Sequence, residues 1–442
     1  MNRHVFSRRA LLGGATIAGL AAGRMSFAQS LPAKAFRHPL LETQHAGIIK
    51  SRDAALAVLK PTPAQLEHGL ALHAGSLVFD SYGFAPRAGV DVEQIQAAMT
   101  AGAPDAVLDE LRETMTMTRA ALVDEEREEF REAMRCSGVT CIFQNAGEEG
   151  HDPLRLMRRL AHFTYLGDMF RDTLIRATLP DDIVRARAEG KHCLYLTGNG
   201  VPLPERWNTV AEELSYIRTF FELGIRMMHV TYNRRNMLGD GCAESANGGL
   251  SDLGRAAVAE MNKVGVIVDV AHSGQKTSFE AAKASSRPMV ASHTVCAAIN
   301  GHIRAKTDEV IRAICDTGGL VGVCCIPNFL GRGGDIAALL DHIDYVAKKF
   351  GVDHVAIGTD VAHTSQFSKS VPGKPGRKRA PRFASLWPPG SMDSGPMGRE
   401  TIAWTNWPLF TVGLAMRGYK DEEIQKILGG NMLRVCRDAL KA

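Results

Sequence analysis

The 442-residue sequence predicts a single (β/α)8 barrel, a closed parallel sheet wrapped by helices. Three observations carry that prediction. Eight short β-branched or apolar runs recur along the chain, stretches of helical periodicity separate them, and the residues that end the runs are mostly polar types able to do chemistry.

The first 28 residues stand apart from this pattern. Ser7-Arg8-Arg9-Ala10-Leu11-Leu12 precedes a Gly- and Ala-rich apolar stretch reaching about Ala22, and Ser26-Phe27-Ala28 offers small residues for cleavage. That order resembles a twin-arginine signal peptide, with an apolar stretch too short for a spanning helix. No later segment reaches about 18 uninterrupted apolar residues. The mature chain is therefore expected to be soluble, periplasmic or exported, and a client of the twin-arginine export machinery. That machinery carries folded proteins, which suits a chain that acquires a metal or cofactor beforehand. Residues 29–66 read as an N-terminal extension and 67–442 as the barrel.

Composition adds limits. With 45% apolar residues the chain can bury a large core, and a net charge of +4 is too weak to mark a nucleic-acid surface. Nine cysteines form no CxxC pair and no disulfide framework. Cys193, Cys324 and Cys325 lie in apolar runs and read as core residues, and the odd count leaves at least one thiol free.

The strand-like runs are 77–80, 139–144, 193–198, 227–232, 266–272, 289–293, 320–326 and 354–360. Helical periodicity marks 153–170, 210–223, 253–264, 308–317 and 336–350. A charged helical insertion, 92–131, lies between the first two strands. Its run Asp124-Glu125-Glu126-Arg127-Glu128-Glu129 reads as a solvated face. After the eighth strand, 368–390 combines six basic residues with prolines. It is a long irregular loop at the barrel mouth, either a lid for anionic groups or a solvated loop.

Barrel chemistry comes from the C-terminal ends of strands. Those ends carry Asp80, Tyr82 and Phe84 after the first, Gln144 and Asn145 after the second, Asn199 after the third and Tyr232 after the fourth. His272 ends the fifth and His293 the sixth, and Asp360 ends the eighth with His363 nearby. Two histidines on adjacent strands can direct their imidazoles to one axial point, and Asp360 can approach from the side. Zinc accepts such nitrogen and oxygen ligands, and a catalytic site keeps one position open for water. Asp360 can take a proton from that water.

Ordered segments across 77–434 resemble the membrane (renal) dipeptidases, a family of zinc-dependent barrel hydrolases that cleave dipeptides and related amides. The segments include Phe221-Glu222-Leu223-Gly224-Ile225-Arg226, Val230-Thr231-Tyr232-Asn233, Asp269-Val270-Ala271-His272, Ala291-Ser292-His293, Val355-Ala356-Ile357-Gly358-Thr359-Asp360 and Gly429-Gly430-Asn431. The resemblance implies that His272 and His293 hold the family's second metal, that Asp360 belongs to the first metal and lies near the nucleophilic water, and that Arg304 binds substrate.

Other family positions differ. The His-x-Asp pair after the first strand is Tyr82 and Phe84 here, the bridging glutamate after the third strand is Asn199, and the histidine after the fourth is Tyr232. Two of three carboxylates are thus lost, which disfavours a dinuclear centre, because neighbouring cations need anionic ligands. Glu148 or Glu149, after the second strand, is a substitute for the missing glutamate that distance alone can test.

Three readings follow. The leading one is a hydrolase of a dipeptide or small amide with a carboxylate, holding one zinc on His272, His293 and Asp360. In it Asp360 and Tyr232 are catalytic, and Arg304, Tyr82 and Asn199 bind substrate. A metal-free chain is the competing state. The second reading is a periplasmic tailoring protein for a peptide-derived metabolite such as a siderophore, which the resemblance allows. The third is a non-catalytic ligand-binding barrel. A homodimer is compatible with all three.

Overall fold

Alternation of inward and outward side chains builds the sheet in the computed structural model, which describes residues 38–147, 152–368, 385–391 and 398–440. The barrel strands are β1 Phe79–Gly83, β2 Cys141–Asn145, β3 His192–Gly198, β4 Ile225–His229, β5 Ile267–Asp269, β6 Val290–Cys296, β7 Leu320–Val323 and β8 Val355–Ile357. All neighbours from β1 to β8 pair in parallel and in chain order. The expected (β/α)8 barrel is therefore present and nearly closed. At the seam between β8 and β1, Asp360 N donates to Tyr82 O at 3.0 Å. The Asp80 carboxylate accepts there from Thr359 N, Thr359 Oγ1 and Trp404 Nε1 at 2.8, 2.6 and 3.1 Å.

The sequence alternation missed two short strands. Leu174–Ala177 pairs beside β3 and Ala305–Lys306 beside β6. Runs of four and two residues fall below the length at which periodicity is legible.

Inside the barrel, Phe79, Phe143, Tyr195, Met227 and Ile267 form an apolar plug, while Ile142, Leu194, Leu196, Met228 and Val268 face the helices. Truncating a plug residue such as Phe143 to alanine costs about 3–5 kcal/mol. One layer above the plug the inward positions turn polar, with Ser81, His229, Asp269 and Ser292 all buried. Gly322 and Gly358 make room for that layer: a Cβ at either position would stand 2.6–2.7 Å from Ser81 Oγ.

The helices begin and end on local signals. Asp152 caps Pro153–Met169, Ser251 caps Asp252–Val264, Thr307 caps Asp308–Asp316 and Asp335 caps Ile336–Phe350. Gly265 takes the left-handed conformation that ends Asp252–Val264. Before the barrel, helices Ala46–Leu59 and Pro63–Gly75 occupy the N-terminal stretch.

The insertion forms helices Val92–Thr100, Asp105–Thr118 and Asp124–Ser137. The solvated face expected for its charge run is corrected here. Asp124, Glu125 and Glu128 are exposed, but Glu126 and Glu129 are only 3% and 4% exposed. Glu126 accepts from Gly89 N at 2.6 Å and pairs with Arg119 at 3.0 Å. Helix Asp105–Thr118 also packs on Pro153–Met169, where Glu113 receives both Arg155 and Arg159. The expected signal peptide, Glu148, Glu149 and residues 369–384 lie outside the described residues. All nine cysteines are free thiols, and Cys193, Cys324 and Cys325 are buried.

Candidate functional site

A cavity of about 550 Å³ opens above the polar layer, lined by Tyr82, Asn199, Tyr232, His272 and Asp360 from the strand ends. The insertion supplies one wall through Arg112, Glu113, Thr116 and Met117, and Phe329 and Trp387 form another. Trp387 is a described residue of the expected basic loop, so that end of the loop reaches the mouth.

The structure brings His272 and His293 into contact, with their Nε2 atoms 2.9 Å apart. His272 Nδ1 lies 2.7 Å from Asn233 Oδ1, in the assigned amide orientation. Asn233 holds that position in a left-handed conformation, φ 36°. His293 Nδ1 lies 2.8 Å from Ser292 Oγ, whose own proton goes to Asp269 Oδ2. Both Nδ1 atoms therefore carry the proton and donate it, and both Nε2 atoms present lone pairs. Burial, reinforced by Arg304, pushes both imidazoles well below the usual histidine range and keeps them neutral. Two neutral nitrogen lone pairs at 2.9 Å repel unless a cation lies between them. Nitrogens bound tetrahedrally to one zinc at about 2.0–2.1 Å stand about 3.3–3.4 Å apart, so this donor pair takes a metal ion with a separation larger by about half an ångström.

Tyrosines cover both rings. Tyr82 stacks on His293 at 3.7 Å between centroids, and Tyr232 stacks on His272 at 4.1 Å. Tyr82 also donates to Asn199 Oδ1 at 2.6 Å. Asp360 lines the cavity in a left-handed conformation, φ 57°. Burial raises its carboxyl to about 6, against the nearby positive charge of Arg304 and Arg87.

Two of the expected residues stand apart from the histidine pair. Asp360 is not in the close donor group of His272 and His293; the group whose ligand atoms lie within 4.8 Å of one another is His229, His272 and His293. His229 ends β4 in register with Asp269 of β5 on the inner face, whereas Asp360 is held past β8 by its bond to Tyr82 O. Arg304, expected at the substrate, is fully buried. Its Nε donates to Ala271 O at 3.2 Å and its Nη2 to His293 O at 2.9 Å, with Phe329 and Trp387 over it. Arg87, which sequence reasoning passed over, is the exposed guanidinium at the cavity, 4.5 Å from the centroid of Phe84.

A second cluster resembles a metal site in composition. His45, Glu129 and His363 place ligand atoms within 4.8 Å of one another. There His45 Nδ1 accepts from Ile48 N at 3.2 Å, so its Nε2 carries the proton and donates to Glu129 Oε1 at 2.8 Å. His363 Nε2, Gln366 N and Ser365 Oγ also donate to Glu129, at 2.9, 2.9 and 2.7 Å. Burial opposes ionisation of this carboxyl, but the four donors outweigh it and lower it to about 2. The cluster is a satisfied anion site that ties the N-terminal helix, the insertion and the loop after β8 together.

The sequence profile of the membrane dipeptidases, peptidase family M19, matches residues 101–371, more than half of the chain. The chain belongs to this family. Dipeptidase tcpJ of Claviceps purpurea (strain 20.1) is 26% identical over 276 residues, 61% of this chain and 56% of that protein. The chain spans about half the length of the curated relatives it matches. Among solved structures, an amidohydrolase from Pseudomonas aeruginosa superposes with a TM-score of 0.62 at 26% identity, covering 84% of this chain and 98% of that one. The probable dipeptidase PvdM from Pseudomonas aeruginosa gives 0.59 at 21% identity, covering 86% and 99%. The strand ends of this chain carry Tyr82, Phe84, Asn199 and Tyr232, and β4 closes on an inward, fully buried histidine, His229.

Proposed function

We propose that this protein is an exported, dipeptidase-like metallohydrolase that uses one zinc ion to cleave a dipeptide or small amide bearing a carboxylate. One observation carries the reading: two neutral imidazoles present Nε2 lone pairs 2.9 Å apart at the base of a cavity that also holds Asp360. Membership of a metal-dependent family supports it. The twin-arginine pattern supports export, and among the described residues no helix is long and apolar enough to cross a membrane.

An ion held by His272 and His293 would polarise a scissile carbonyl and acidify a water enough to attack near neutral pH. Asp360, with its carboxyl near 6, is mostly ionised at neutral pH and takes the proton from the attacking water, then returns it to the leaving amine. Tyr232, flat against His272, is the group to hold the carbonyl oxygen by a hydrogen bond. Tyr82 and Asn199, locked by their mutual bond, shape the wall. The substrate carboxylate is assigned to Arg87, which lines the cavity, whereas Arg304 is buried below it with Nε and Nη2 bound to main-chain carbonyls and only Nη1 unpartnered among the described residues.

The test is hydrolysis of L-Ala-D-Ala and a panel of L,L-dipeptides by chelated protein with and without added zinc. Cleavage that appears with about one equivalent of zinc is expected. No cleavage of any dipeptide, or cleavage indifferent to chelation, contradicts the reading.

A further inference from the structure

The imidazoles at the ends of β4, after β5 and in β6 share a hydrogen-bonding pattern. His229 Nδ1 donates to Gly198 O at 3.0 Å, His272 Nδ1 to Asn233 Oδ1 at 2.7 Å and His293 Nδ1 to Ser292 Oγ at 2.8 Å. Histidines that bind a metal through one nitrogen donate the other ring N–H to such an outer acceptor, which fixes tautomer and orientation. Three buried rings with the same Nδ1–H arrangement leave three Nε2 atoms for one ion, and one ligand atom of each ring lies within 4.8 Å of the others.

We propose that His229, His272 and His293 form a three-imidazole centre for a single divalent ion. His229 Nε2 is fully buried and has no hydrogen-bond partner among the described residues. It lies 2.8 Å from Asp269 Oδ2 outside hydrogen-bonding angles, and a carboxylate that close calls for positive charge at Nε2, which a bound ion supplies and a ring proton would supply otherwise. Asp269 is buried and anchored by Ala271 N and Ser292 N at 2.9 and 3.1 Å. Its negative charge beside His229 would offset the charge that three neutral ligands leave on an ion. The donor set also restricts the ion. Imidazole nitrogens favour zinc, cobalt(II), nickel(II) or copper(II), while magnesium, calcium and manganese prefer oxygen.

The inference deepens the hydrolase reading, which requires an ion but not His229. Its test is a titration of chelated full-length protein with cobalt(II), followed by its visible absorption, and with zinc against a chromophoric chelator. The expected result is one ion per chain, an intense four- or five-coordinate cobalt spectrum, and affinity at least about a hundredfold weaker in both His229→Ala and His229→Gln. Saturating zinc should raise the melting temperature of the parent and leave that of either variant unchanged, a response that a purely packing role for His229 does not produce. Asp360→Asn should still bind one ion. Parent-like affinity in either folded His229 variant, or a parent that takes up no ion, overturns the centre. An ion bound through His229 in a protein that cleaves no dipeptide leaves the centre standing and removes the hydrolase reading.

Discussion

Two histidine clusters of similar composition occupy opposite electrostatic states. At His45–Glu129–His363, four donors converge on one carboxylate, and the group is complete as it stands. At His229–His272–His293, the protons point outward to Gly198, Asn233 and Ser292, and the nitrogens facing each other carry lone pairs. The difference teaches that proximity of metal-binding residue types is a weak criterion. What separates an anion clamp from a cation site is where the second nitrogen of each ring finds its partner. His45 Nδ1 accepts a backbone N–H and thereby commits Nε2 to donating, whereas each ring of the other cluster donates from Nδ1.

The contrast predicts opposite responses to mutation. His272→Ala should lower dipeptide hydrolysis by about a thousandfold or more, the several kcal/mol that a catalytic ion supplies, with bound zinc falling in parallel. His45→Ala should leave zinc content unchanged. Glu129→Ala should show its effect in chemical denaturation instead, losing about 3–5 kcal/mol because its ring and hydroxyl donors are left buried without an acceptor. If Glu129→Ala strips the metal without unfolding the chain, the two clusters are not distinct in kind.

Asp360→Asn should lower kcat by about a hundred- to ten-thousandfold with little change in zinc content, since a base is lost and no ligand is. A loss of metal in that variant restores Asp360 to the first coordination sphere. A smaller effect is expected at the mouth. Arg87→Gln should raise KM for a dipeptide about tenfold to a hundredfold, the worth of a hydrogen bond to a charged group, and leave the C-terminal amide of the same dipeptide unaffected.

Acid stability probes the clamp alone. The folded Glu129 carboxyl, near 2, lies below its ordinary value of 4.5, so its ionised form stabilises the fold. That contribution is fully present above about 4.5 and is lost as pH falls toward about 2. Wild-type stability measured down that range should decline more steeply than that of a folded Glu129→Gln protein.

Much of this was legible in the sequence. Five helical stretches agree with the structure to within one residue at each end, because caps such as Asp152, Thr307 and Asp335 mark their starts. Strand ends were harder to place. The fourth run was expected to reach Tyr232, but β4 stops at His229, and those three residues concealed the inward histidine. A histidine closing the apolar run Ile225-Arg226-Met227-Met228 was the available signal, masked by the family position at Tyr232. Glu129 was hidden for another reason. In a run of acidic residues on one helix, only the turn facing the barrel decides which carboxylates are buried, and that facing depends on partners more than eighty residues away in either direction. Arg304 was found by its place after β6, but its engagement with Ala271 and His293 carbonyls is a tertiary fact with no local mark.

Zinc X-ray absorption and metal content, measured together on the parent, His45→Ala and His293→Ala, test the account at its core. One zinc per chain is expected in the parent and in His45→Ala, bound by nitrogen donors that include three imidazoles, and none in His293→Ala. A parent without zinc, or zinc that disappears with His45 and survives loss of His293, contradicts it.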